Sequence, residues 1–219
     1  MSFIENLINV VLHIDKYLNI IIQNYGLWTY GIIFLIIFCE TGLVITPFLP
    51  GDSIIFATGA LASEGMLEVF TLYIVFFLAA VLGDTANYFI GKKIGTGILE
   101  KENIRFVNKE HLDKAHRFYE KHGSMAIVLG RFIPIIRTFV PFIAGIGEMS
   151  YSKFITYNVL GGFLWVSLFL WGGYFFGSLP FIKRNFSYVV IAIIIISLIP
   201  AVVTFVRERK KDDTADAEI

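Results

Sequence analysis

Long runs of apolar residues restrict this chain more than any other feature. Leu27–Cys39, Val69–Ile90, Phe154–Phe176 and Tyr188–Val206 carry a single charge between them, Asp84. The last three reach the ~20 residues that a helix needs to cross a hydrocarbon core, whereas the first is too short to span alone. Composition agrees: 56% of the residues are hydrophobic and only 16% charged, well away from an average soluble domain. The expected class is an all-α integral membrane protein.

Against this background four charges stand out. Glu40 and Asp52 flank a Pro/Gly break containing Pro47, Pro50 and Gly51, and Arg131 and Arg137 flank Pro134 in a second apolar stretch that continues through Pro141. An acid or arginine at a helix centre costs about 2.5–3.5 kcal/mol on the translocon scale, so four unpaired groups would cost roughly 10 kcal/mol. Two acids and two bases at separated breaks therefore point to a shared polar site in which each sign offsets the other.

Charge placement gives an orientation. Lys and Arg concentrate between Lys92 and Lys121 and again at 207–211, and the positive-inside rule puts both stretches in the cytoplasm. Phe154–Phe176 and Tyr188–Val206 supply the two crossings between them, so Met125–Gly147 should enter and leave on one side as a re-entrant hairpin. Its two prolines, seven apart, disfavour one continuous helix. The competing reading is a kinked spanning helix whose arginines snorkel to one interface.

The first half repeats the pattern. Glu40 lies ten residues before Pro50 and Arg131 ten before Pro141; Tyr88-Phe89-Ile90-Gly91 and Tyr174-Phe175-Phe176-Gly177 close the two long runs. With Val69–Ile90 running inward, the first hairpin opens outward, opposite to the second. The expected architecture is an inverted repeat of re-entrant hairpin plus transmembrane helix, as in many secondary transporters. One membrane domain covers residues 1–211, with repeats at about 25–95 and 122–178, a C-terminal span at about 186–206 and a disordered cytoplasmic tail at 212–219.

At these residues the chain resembles the DedA family of bacterial inner-membrane proteins, related to the VTT-domain lipid scramblases of eukaryotes. The resemblance runs from about Tyr25 to Gly177 and rests on Phe38-Cys39-Glu40-Thr41-Gly42, Phe48-Leu49-Pro50-Gly51-Asp52-Ser53, Gly83-Asp84-Thr85-Ala86-Asn87-Tyr88, Phe118-Tyr119-Glu120-Lys121-His122-Gly123 and the double-arginine segment. His13-Ile14-Asp15 and Met149-Ser150-Tyr151 are also like the family's founding member. The resemblance implies a multi-pass protein of the bacterial cytoplasmic membrane that moves lipids between leaflets: undecaprenyl phosphate, the carrier of wall precursors, or phospholipids such as phosphatidylethanolamine. It further implies dependence on the proton motive force, with Glu40 and Asp52 as the essential acids and Arg131 and Arg137 as the essential bases.

The chemistry of the residues fits that implication. A lipid phosphate needs its headgroup shielded during crossing, and guanidinium offers forked, charge-assisted donors to it. Arg131 and Arg137 are the expected headgroup clamp, and Glu40 and Asp52 the groups that pair with them when phosphate is absent and take up protons when it displaces them. Two alternatives stay open. One is a static buried ion-pair cluster that selects one packing of the hairpins; the other is a proton- or cation-coupled carrier of a small solute that supports membrane homeostasis.

Other residues carry less. Asp84 either adds a third acid to the site or caps a helix segment. Trp28, Trp165 and Trp171 need no cofactor to explain them, Trp28 suiting an interfacial position. All four histidines lie outside the hairpins, and His111, His116 and His122 fall in a charged cytoplasmic segment, so no metal centre, cofactor or catalytic residue is expected and an intramembrane phosphatase is disfavoured. Lone Cys39 excludes an internal disulfide. Residues 102–119 suggest an interfacial amphipathic helix. A formal net charge of zero argues against a nucleic-acid partner. The N-terminus lacks the marks of a cleaved signal peptide, the sequence leaves open whether Phe3–Ile22 crosses the bilayer, and self-association is permitted but not specified.

Overall fold

The computed structural model describes residues 14–43, 51–98, 109–147 and 149–177, with isolated positions beyond. Within them the chain is helical and contains no strand: α1 (Ile14–Tyr25), α2 (Trp28–Gly42), α3 (Gly51–Ser63), α4 (Val69–Ile98), α5 (Lys109–His122), α6 (Ala126–Gly130), α7 (Pro134–Ile146) and α8 (Tyr151–Phe176). The C-terminal span at 186–206, the tail, Pro47 and Pro50 fall outside the described residues. So does the start of the amphipathic segment, whose described part forms α5.

Among the described residues two helices are long and apolar enough to cross a membrane: Val69–Lys93 with 25 residues and Tyr151–Phe176 with 26. At 1.5 Å per residue each exceeds a ~30 Å hydrocarbon core. Helices α2, α3 and α7 hold 15, 13 and 13 residues, roughly 20 Å each by the same rise. One outward face of α4 exposes Phe70, Ile74, Leu78 and Leu82, and α8 exposes Leu160, Phe163, Leu164 and Leu168. A stripe of large apolar side chains turned away from the core, at helical spacing, is what contact with lipid tails requires.

Local chemistry sets several helix ends. Gly26, at φ 52°, turns the chain between α1 and α2, and Gly65, at φ 80°, turns it between α3 and α4. Both occupy the left-handed region that glycine tolerates without penalty. Glu68 caps α4, accepting from the backbone N–H of Phe70 at 3.0 Å and of Thr71 at 2.5 Å. Its bonds to Thr71 and Phe70 hold this carboxyl below the usual glutamate range. Pro134 opens α7, where a missing N–H costs nothing. Pro141, expected at a break, instead lies inside α7. The chain breaks earlier, at residues 131–133, and Pro141 only removes the donor that the Arg137 carbonyl would otherwise use.

Two apolar cores lie at opposite ends of the long helices. Leu72 and Phe76 of α4 meet Trp165, Val166 and Leu170 of α8 in one, together with Ile33, Ile37 and Ile55. Tyr88 of α4 meets Phe154 of α8 in the other, with Ile127, Phe139 and Ile143. The start of α4 thus lies beside the end of α8, so the two run antiparallel. A hydrogen bond between Tyr73 Oη and Ser167 Oγ at 2.9 Å, and the edge contact of Phe70 with Trp171, fix the same register.

The half-length helices cross over. Helix α3 packs chiefly on α8, and α7 chiefly on α4. Each seam is built in the same way. At the first, Cβ atoms added to Gly59 and Gly173 would sit 2.4 Å from the Leu170 carbonyl and 2.0 Å from the Phe56 carbonyl. At the second, additions to Gly145 and Gly91 would sit 2.1 Å from the Tyr88 carbonyl and 2.2 Å from that of Phe142. Phe56 precedes Gly59 by three residues, as Phe142 precedes Gly145; Leu170 precedes Gly173 by three, as Tyr88 precedes Gly91. Backbone approaches backbone in both, the close packing that small residues permit in membrane helices.

This geometry makes a direct prediction. Gly145→Val should destabilise the fold by about 1–3 kcal/mol, the range for overpacking, whereas Gly31→Ala, which meets nothing within 4 Å, should be neutral or slightly stabilising. Unfolding of the purified protein in mixed micelles distinguishes the two.

Candidate functional site

Between the two cores, where apolar packing is interrupted, the structure gathers five ionisable side chains. Helix α2 ends at Gly42 and delivers Glu40 in its last turn; α3 begins at Gly51 and delivers Asp52 in its first. Gly51 donates its N–H to Glu40 Oε1 at 3.2 Å. An added Cβ there would lie 1.9 Å from Glu40 Oε2, so a side chain would have to displace the carboxyl from this position. Both carboxylates therefore sit at the N-terminus of α3, where the helix dipole favours negative charge.

Arg137, from the first turn of α7, bridges them. Its Nη1 donates to Asp52 Oδ1 at 2.8 Å and its Nη2 donates to Glu40 Oε1. Glu40 and Arg137 are both fully buried or nearly so, and Asp52 keeps 15% of its side chain exposed. Trp165 of α8 closes the group: its ring centroid lies 5.3 Å from the guanidinium carbon, and its Nε1–H donates to Asp52 Oδ1 at 3.0 Å.

Arg131, at the turn that ends α6, forms a second pair. Its Nη2 lies 2.6 Å from Asp84 Oδ2, and each side chain is 1% exposed. The same nitrogen donates to Asn158 Oδ1 of α8 and, at 3.4 Å, to the Ala80 carbonyl. Asn158 is held in turn, donating through Nδ2 to the Val81 carbonyl at 3.0 Å. Gly161 makes room for the arginine, since a Cβ there would come within 3.0 Å of its Cδ. Asp84 sits in the middle of α4, so it joins the charged site and caps no helix. Asn87, three residues on, donates to the Thr41 carbonyl at 3.1 Å and the Thr138 carbonyl at 2.7 Å, tying the ends of α2 and α7 to α4.

All the acids and arginines singled out in the sequence are therefore in one region, but the arginines hold different partners. Arg137 takes Glu40 and Asp52; Arg131 takes Asp84. Three residues were not anticipated as site members: Trp165, Asn158 and Asn87. Each had a signal, because asparagine is out of place in an apolar span and Trp165 follows Asn158 by seven residues, on the same helical face. His116, by contrast, pairs with Glu120 on the exposed surface of α5.

Not every polar atom in this buried site is satisfied. Among the described residues Arg131 Nε and Nη1, Arg137 Nε, Glu40 Oε2, both Asp84 oxygens and Asn87 Oδ1 make no hydrogen bond, although Asp84 Oδ2 lies 2.6 Å from Arg131 Nη2. Buried polar atoms of both kinds left without a hydrogen bond are costly, so the site holds donors and acceptors in reserve.

Residues 49–175 match the VTT domain. The chain belongs to the DedA family. It is 47% identical over 212 residues to Protein DedA of Escherichia coli K12, covering 96% of this chain and 97% of that one. It is 43% identical over 178 residues to the uncharacterized membrane protein Rv0364 of Mycobacterium tuberculosis, covering 80% and 78%. It is 33% identical over 156 residues to the inner membrane protein YghB of Escherichia coli K12, covering 71% of each. No solved structure matches. As a member of the DedA family the chain is a membrane protein, and its ionisable site draws Asp84, Asn158 and Trp165 from the two helices long and apolar enough to cross a membrane.

Removing one partner of a buried pair exposes the other's desolvation cost. Arg137→Ala should destabilise the protein by about 3–5 kcal/mol, and adding Glu40→Gln should recover a measurable part of it. Equilibrium unfolding of both variants beside the parent measures the recovery; a purely additive double variant would contradict the pairing.

Proposed function

We propose that this DedA-family protein moves lipid phosphates across the cytoplasmic membrane, undecaprenyl phosphate foremost, with Arg131 and Arg137 as the headgroup clamp and Glu40 and Asp52 as proton-coupling acids. The observation that carries this reading is the buried pair of arginines with unused donors. A structural ion pair is made more stable by satisfying every donor, whereas an anion site must keep some in reserve. On this reading phosphate first engages arginine N–H groups that neither ion pair uses, then competes with Asp52 for Arg137.

Release of a carboxylate from its arginine leaves an uncompensated buried charge, which protonation removes. Proton uptake would thus follow occupancy, giving the proton motive force a way to drive the cycle. The architecture we favour is the inverted repeat of re-entrant hairpins, α2–α3 and α6–α7, each followed by a spanning helix. Support for it comes from the short half-helices, the break at 131–133 and the two matching glycine seams. On this reading the protein is not an enzyme, and its cytoplasmic C-terminus follows from the positive charge at 207–211.

Reconstitution in liposomes tests the proposal. Leaflet-to-leaflet movement of undecaprenyl phosphate should exceed that of phosphatidylethanolamine, depend on pH, and fall at least about tenfold in folded Arg131→Ala and Arg137→Ala, each of which loses a charge-assisted contact. Glu40→Gln should flatten the pH dependence. Preferential movement of phosphatidylethanolamine would make the protein a phospholipid scramblase, and movement of neither lipid would favour a coupled solute carrier.

A further inference from the structure

Trp165 is fully buried, yet its one polar atom is spent on an oxygen that already has a charged donor. Asp52 Oδ1 accepts from Arg137 Nη1 at 2.8 Å and from Trp165 Nε1 at 3.0 Å. The indole face meanwhile lies against the same guanidinium, 5.3 Å from ring centroid to carbon. Trp165 thus touches both members of the ion pair, and it is anchored in the apolar core among Ile55, Phe76 and Leu170. Arg137 is attached to a half-length helix that begins at a chain break; Trp165 is attached to a spanning helix.

We infer that Trp165 is a positioning residue that retains Asp52 when Arg137 turns its Nη1 to an anion, and so determines how readily the clamp opens. The inference rests on the anion-binding reading above. Opening the pair would strip a mostly buried carboxylate of a charged donor, and the indole N–H, already on that oxygen, limits the loss without moving. The ring face holds the guanidinium near its resting place by cation–π attraction, so the arginine exchanges partners over a short path. Trp165 would therefore favour the anion-bound state through Asp52, touching no part of the ligand.

Calorimetric titration of the purified full-length protein with farnesyl phosphate, a short-chain polyprenyl phosphate, tests this. Trp165→Phe keeps the aromatic face and removes the N–H; it should weaken binding about tenfold, the worth of a hydrogen bond to a charged group. Trp165→His, which can restore a ring N–H, should recover part of the affinity. In an Asp52→Asn background the Trp165→Phe change should lose its effect, because the carboxylate it serves is gone.

Equal affinity in Trp165→Phe and the parent, or the same loss with and without Asp52, overturns the role of Trp165 and leaves the anion site standing. Absence of binding by the parent itself removes both. Should the Trp165 variants not fold, the Trp28→Phe/Trp171→Phe protein retains Trp165 as its sole indole. Its emission should shift on adding farnesyl phosphate, and a constant spectrum alongside measured binding overturns the inference.

Discussion

A single guanidinium joins the parts of this structure that the chain presents separately. Arg137 leaves the first turn of α7 and reaches the last turn of α2 through Glu40 and the first turn of α3 through Asp52, with α8 closing over it through Trp165. Four elements are thus fixed by one planar group, whose fork serves two carboxylates from separate nitrogens where a lysine would offer a single point charge. Gly51 shows how tightly the arrangement is drawn: the backbone approaches Glu40 so closely that even a methyl group would push the carboxyl aside.

The glycine seams make that convergence possible. Half-helices of 13 residues cannot cross a bilayer, and their ends expose backbone groups that lipid will not satisfy. Packing α3 on α8 and α7 on α4 at backbone distance places those ends inside protein, beside side chains that can bond to them. Asn87 is one such side chain, spending both amide hydrogens on carbonyls of α2 and α7.

Much of this was legible in the sequence, because hydrophobic length and misplaced charge are strong local signals. The spanning helices at Val69–Lys93 and Tyr151–Phe176, the break after Arg131 and the gathering of Glu40, Asp52, Arg131 and Arg137 all follow from them. What failed was equivalence and pairing. Pro141, matched to Pro50 as a break, lies inside α7, where a proline removes one backbone donor without ending the helix, while Pro50 falls outside the described residues. Trp165 read as an ordinary membrane aromatic because a tryptophan's surroundings are decided by tertiary contacts. Only the fold shows that the glycine spacing after Phe56 and Phe142 is one device used twice.

The site also has a charge count of its own. Glu40, Asp52 and Asp84 bring three carboxylates to two guanidiniums, so these five side chains, all ionised, carry one excess negative charge. Displaced along the membrane normal, a buried group of that charge would act as a gating charge. Moving one elementary charge through a 100 mV membrane potential changes its energy by about 2.3 kcal/mol. Any rearrangement that carries the cluster along the membrane normal is therefore voltage-sensitive, and each proton or anion it gains or loses on the way resets the sign and size of that sensitivity.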